Sequence, residues 1–161
     1  MDLERTSGLL LNPTSLPGAD AIGTLGRSAH RFVDRLADAR QSWWQTLPLH
    51  PVGPNGSPYS ATSTFAGNPY LVDLEALVEK GWLERETVDD YYATCPDAAH
   101  GTDYALVARE KMALLGRAHA RWSSDGDREP FEAFVDRHEW LDDFTLYTVL
   151  KREHGGLSWR D

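Results

Sequence analysis

The residues best suited to chemistry lie in one segment. Gly56-Ser57-Pro58-Tyr59-Ser60 is followed closely by Phe65-Ala66-Gly67-Asn68-Pro69-Tyr70. A pyranose ring has C–H groups on its faces and hydroxyls around its rim. A sugar site therefore needs flat aromatic surfaces beside small polar groups in a partly dry hollow. Ser57, Tyr59 and Asn68 supply both kinds of group, and the prolines and glycines stiffen the backbone between them. A packed surface loop would use the same composition. Trp43-Trp44-Gln45 is a second group. Neighbouring residues of a strand face opposite sides, so one indole turns toward the interior or a site and the other toward a helix layer. A buried Gln45 amide would need partners. A third group, Asn12, Thr14 and Ser15, follows the apolar run Gly8 to Leu11. The carboxyl end of a parallel strand is where α/β folds place their sites, although polar residues there also serve turns.

Other chemical kits are missing from the pattern. Asp34, Asp38, Glu75, Glu79, Glu132, Asp136 and Asp142 fall on expected helix surfaces. The histidines, His30, His50, His100, His119, His138 and His154, lack metal-ligand spacing, so no metal is expected. There is no Gly-x-Ser-x-Gly elbow and no phosphate loop. A net charge of −9 argues against nucleic acid and anionic membrane surfaces as partners, while leaving neutral ligands open. One cysteine, Cys95, allows no internal disulfide and points to a reducing compartment. The charged start, Met-Asp-Leu-Glu-Arg, is unlike a signal peptide, and no run is long and apolar enough to span a membrane. A cytoplasmic location is the expectation.

Two unlike stretches must position these residues. Residues 1–70 are rich in Gly, Pro, Ser and Thr with short apolar runs; residues 71–161 are charged and helical in pattern. Gly8 to Leu11 reads as a buried strand. Ser28 can cap a helix over Ala29 to Arg40 with Phe32, Val33 and Leu36 on one face, and a second strand runs from Ser42 toward Pro48. Strand, helix and strand at this spacing predict a parallel βαβ unit. His50 to Tyr70 is then a long loop, and its aromatics argue for order. Beyond it, Asp73 can cap a helix ending near Gly81, Thr87 can start a short one, and Asp103 can cap a longer one. That last helix carries Tyr104, Val107, Met112, Leu115 and Trp122 near one face. A helix around Pro130 and a final one from Trp140 to the Gly155-Gly156 stop complete the reading.

Read together, several segments are far more specific than any one alone. They are Ser7-Gly8-Leu9-Leu10-Leu11, Pro13-Thr14-Ser15-Leu16-Pro17-Gly18, Ile22-Gly23, Leu25-Gly26, Trp44-Gln45-Thr46-Leu47-Pro48-Leu49, Ser57-Pro58-Tyr59 and Phe65-Ala66-Gly67-Asn68-Pro69-Tyr70-Leu71. In this order they resemble the N-terminal region of the amylomaltases, glycoside hydrolase family 77. Trp140-Leu141-Asp142-Asp143-Phe144 and His154-Gly155-Gly156 extend the likeness over the chain. The resemblance implies an α/β fold, the N-terminal part of a (β/α)8 TIM barrel. Residues 1–70 would give the first strands, helix and glucan-site loop, and residues 71–161 a helical insertion subdomain leading back to the barrel. It implies 4-α-glucanotransferase activity, the transfer of α-1,4-glucan segments between malto-oligosaccharides by a retaining mechanism with no cofactor. Tyr59 would line the donor side of the cleft beside Ser57, and Gly67-Asn68-Pro69 would shape the same loop. The family's catalytic carboxylates lie on later strands. No catalytic residue is therefore expected in this chain, isolated activity is doubtful, and the missing C-terminal barrel portion becomes a partner beside the glucan. A glucan-binding remnant without chemistry and a helical interaction protein without sugar affinity are the competing expectations.

Overall fold

The computed structural model describes residues 5–53, 56–96 and 101–157. The charged start at Met1–Glu4, His100 and the end at Asp161 lie outside the described residues. Strand β1 (Gly8–Leu10) and strand β2 (Trp43–Gln45) pair in parallel, with Gly8 opposite Trp43 and Leu10 opposite Gln45. Helix α1 (Arg27–Asp38) makes the crossover, as the spacing predicts. It starts two residues before Ala29, after Gly26 instead of a side-chain cap at Ser28. Gly8 allows the strands to approach: a Cβ there would sit 2.5 Å from the Trp43 carbonyl oxygen.

The two indoles separate as strand alternation demands. Trp44 packs edge-on against Phe32 of α1 with ring centroids 4.9 Å apart, and its indole N–H donates to the Leu11 carbonyl at 2.8 Å. Trp43 is 64% exposed on the other face and donates to Thr6 Oγ1 at 2.9 Å. The expected burial of β1 is not found. Leu9 and Leu10 are 50% and 59% exposed, because the sheet has two strands and α1 covers a single face. Gln45 is exposed as well, so its amide has no burial to offset.

The chain beyond Gln45 has no strand among the described residues. Helices α2 (Leu74–Glu79) and α3 (Arg85–Thr94) come first. Helix α4 (Tyr104–Leu106) then runs through a π turn (Val107–Lys111) into α5 (Met112–Asp125). Helices α6 (Glu129–Asp136) and α7 (Trp140–Glu153) follow. Asp103 caps α4, its Oδ1 accepting from the Leu106 N–H at 2.9 Å. Gly81 and Gly155, at φ +72° and +62°, end α2 and α7 in the left-handed region that glycine favours. Leu74, Leu83, Val88, Tyr91, Leu114 and Ala118 form the helical core.

The buried face of the long helix differs from the predicted one. Val107, Lys111, Leu114 and Ala118 are buried, while Met112 is 39% exposed. These buried positions keep regular helical spacing through the π turn, so a single face stays buried and it carries Lys111 instead of Met112. A second cluster, Ala21, Ile22 and Val107, joins the strand half to the helices. No helix of the described residues is long and apolar enough to cross a membrane.

Candidate functional site

The segment after β2 leaves from the carboxyl end of the parallel pair and returns to it. The Asn68 N–H donates to the Leu49 carbonyl at 2.8 Å, closing the loop at its base. Gly56 opens the site motif at φ +69°, and a Cβ there would lie 2.5 Å from the Tyr104 ring. The Tyr59 N–H donates to Ser57 Oγ at 3.3 Å and the Ser60 N–H to the Ser57 carbonyl at 3.2 Å. This tight turn presents the Tyr59 phenol to solvent at 76% exposure. Ser63 builds the next turn, its Oγ accepting from the N–H groups of Phe65 and Ala66 at 3.1 Å each.

Ser57 and Tyr59 therefore stand together in one turn, whereas Asn68 sits at the far end of the loop. Asn68 is buried, and its Oδ1 accepts from the Tyr70 N–H at 3.0 Å, capping a short 3₁₀ turn (Pro69–Leu71). Phe65 stacks on Trp140 of α7 with centroids 6.0 Å apart, flanking an open hollow of about 480 Å³ lined by residues 61–65, Trp140, Asp143, Phe144 and Tyr147. Asn12, Thr14 and Ser15 serve their turn through the backbone. The Asn12 carbonyl accepts from the Ser15 N–H, and the Thr14 carbonyl accepts from the Gly23 N–H and from Thr102 Oγ1.

A buried ionic group that the sequence reading missed lies behind the loop. Lys111, with no exposed surface, donates through Nζ to Asp20 Oδ2 and to the Tyr70 carbonyl, both at 2.7 Å. The Tyr91 hydroxyl donates to Asp20 Oδ1, also at 2.7 Å. Burial holds the Lys111 ammonium below its usual range, with the Asp20 carboxylate opposing that effect. Burial, and then the bond to Asp20, push Tyr91 well above the usual phenol range. The signal available in the sequence was a lysine at a core-facing position, since Val107, Lys111, Leu114 and Ala118 recur at helical spacing.

Elsewhere, a hydrogen bond from Arg85 holds the Glu75 carboxyl below its ordinary range, with burial opposing and the Arg85 charge adding to it. No group of three or more His, Cys, Asp or Glu poised for a metal occurs among the described residues. Both oxygens of the Asp20 carboxylate are engaged, one by Lys111 and the other by Tyr91. What the loop offers is an aromatic face and hydroxyls, which suit the binding of a neutral ring.

Residues 11–161 match the family described as 4-alpha-glucanotransferase. The chain belongs to this family, glycoside hydrolase family 77. The match agrees with the likeness carried by the Ser57-Pro58-Tyr59 and Phe65-to-Leu71 motifs. A 4-alpha-glucanotransferase of Thermus thermophilus is 43% identical over 164 residues, covering 99% of this chain and 31% of the relative. One from Clostridium butyricum is 43% identical over 148 residues, covering 91% of this chain and 30% of the relative. Among solved structures, the amylomaltase from Streptococcus agalactiae in complex with acarbose superposes with a TM-score of 0.87 at 31% identity, covering 98% of this chain and 32% of that one. The chain thus spans about a third of the length of these family members.

Proposed function

We propose that this chain forms one wall of a 4-α-glucanotransferase that moves α-1,4-glucan segments between malto-oligosaccharides with retention of configuration. In this reading residues 1–70 are the opening strands, helix and site loop of a (β/α)8 barrel, and residues 71–161 are a helical insertion leading back to it. The observation that carries the reading is the exposed Tyr59 ring, held on a stiffened loop beyond the carboxyl end of a parallel β-α-β unit. Barrel enzymes build their sites at that end. A glucose ring lies against the phenol face, and Ser57 serves a sugar hydroxyl. Asn68 contributes by fixing the loop's return.

Retaining transfer uses two carboxyl groups about 5 to 5.5 Å apart, one as nucleophile and one as acid and base. These are assigned to other strands of the barrel, and this chain supplies binding surface. The carboxyl chemistry needs no metal or organic cofactor. A reducing, cytoplasmic setting suits the free thiol of Cys95.

Mixing the chain with a polypeptide that supplies the remaining part of the Thermus thermophilus relative tests the activity. Maltotriose should be converted to glucose and longer oligosaccharides by the mixture and by neither piece alone. Tyr59→Ala should lower maltoheptaose affinity at least tenfold by calorimetry, about 1.4 kcal/mol, with an unchanged melting temperature because the ring is exposed. Equal affinity of variant and wild type would remove the reading.

A further inference from the structure

The loop that carries Tyr59 is held at both ends by one short stretch of helix. At its start, Gly56 lies against the Tyr104 ring, close enough that a Cβ would come within 2.5 Å. At its end, the Tyr70 ring lies 6.5 Å from the Tyr104 ring, and the Tyr70 carbonyl accepts from Lys111 Nζ at 2.7 Å. Tyr104 lies just before the π turn and Lys111 is its last residue; its first residue, Val107, is fully buried against Ala21 and Ile22. Lys111 lies on the buried face of the helix, four residues after Val107, where burial ordinarily favours an apolar residue.

That lysine is costly to bury. An ammonium removed from water is tolerated only when its donors are satisfied and its charge is balanced. Asp20 supplies the counter-charge, its side chain 6% exposed, and the Tyr91 hydroxyl fixes the second oxygen of Asp20. The arrangement connects three parts of the chain: the turn before α1, the end of the site loop, and α3. An apolar residue at position 111 would fill the core without this burden, but it could not hold the Tyr70 carbonyl.

We propose that Lys111 is a positioning residue for the glucan site, holding the loop of residues 56–70 in its binding shape through the Tyr70 carbonyl, with Asp20 and Tyr91 keeping Lys111 in place. The consequence for sugar binding rests on the reading above; the effect on the loop does not.

Hydrogen exchange separates a loop latch from a general core contact. Lys111→Met alone leaves the Asp20 charge buried without its counter-charge and can unfold the chain. The informative variant is therefore Asp20→Asn/Lys111→Met, which removes both charges, beside the milder Tyr91→Phe. In the double variant the amides of residues 57–72 should exchange at least tenfold faster, while those of α2 and α3 stay within about twofold of wild type. Tyr91→Phe should give a smaller increase, confined to the same residues. Maltoheptaose affinity should fall at least fivefold in the double variant. Loop exchange unchanged in both variants, or faster exchange spread evenly over the loop and the helices, overturns the proposal. Should the wild type bind no maltoheptaose while the loop-confined increase is found, the latch stands and the glucan reading is what fails.

Discussion

Helices α2, α3 and α5 on one side and the two-stranded sheet on the other treat apolar surface in opposite ways. Among these helices, Leu74 and Val88 are wholly buried and neighbouring side chains close around them, while α6 and α7 leave Phe131, Phe134, Leu146 and Leu150 exposed. In the strand half, Leu9, Leu10 and Trp43 stand out from a two-stranded sheet. A helix can satisfy its own backbone hydrogen bonds, and a few helices suffice to enclose a core. A strand depends on neighbours on both edges and layers on both faces, so two strands leave apolar groups uncovered. The enclosed core thus lies among α2, α3 and α5, whereas the loop that carries Tyr59 leaves from the open sheet. The junction between them, Lys111 with Asp20 and Tyr70, is where stability passes from one to the other.

Truncation in each half gives the widest contrast. Leu74→Ala should cost about 2 to 5 kcal/mol in denaturant unfolding, as expected for a buried leucine. Leu10→Ala should stay within about 0.5 kcal/mol, as for an exposed position. Similar losses at the two sites would erase the distinction. A smaller effect is expected inside the loop. Gly56→Ala forces a side chain into the left-handed region and onto the Tyr104 ring, and should cost about 1 to 3 kcal/mol by thermal or denaturant unfolding. Gly67→Ala, with no atom within 4 Å of the added methyl, should be nearly neutral and serves as its control.

The smallest effect concerns the surface of the helical half. Arg85 holds the folded-state pKa of Glu75 below its ordinary value of 4.5, so the unfolded chain takes up this proton first as pH falls. The contribution is present above pH 4.5 and disappears as pH drops through the folded-state value. Melting temperatures followed downward from pH 5 should fall more steeply in wild type than in Glu75→Gln. The difference should be slight, because the two side chains are 30% and 49% exposed.

Much of this architecture was legible in the residues themselves. The β-α-β unit followed from apolar runs separated by a helical stretch. The cap at Asp103 and the glycine stop after α7 followed from local backbone chemistry. The family followed from ordered motifs, above all Ser57-Pro58-Tyr59 and Phe65-Ala66-Gly67-Asn68-Pro69-Tyr70. Local pattern was less informative where burial depends on distant neighbours. It assigned β1 to the interior and put Met112, which is 39% exposed, on the buried face in place of Lys111.

The sequence by itself determined the order of elements, the stiffness of the loop and the likeness to the 4-alpha-glucanotransferase family. Those properties come from propensity, turn chemistry and motif order, all of which act over short stretches of chain. The tertiary structure alone decided that Asp20, Tyr70, Tyr91 and Lys111 meet, and that Ser57 and Tyr59 share a turn while Asn68 clamps the loop from its other end. Residues 20 and 111 are joined by an ion pair whose value depends on exclusion from water, and that exclusion exists only once the two halves have closed over it.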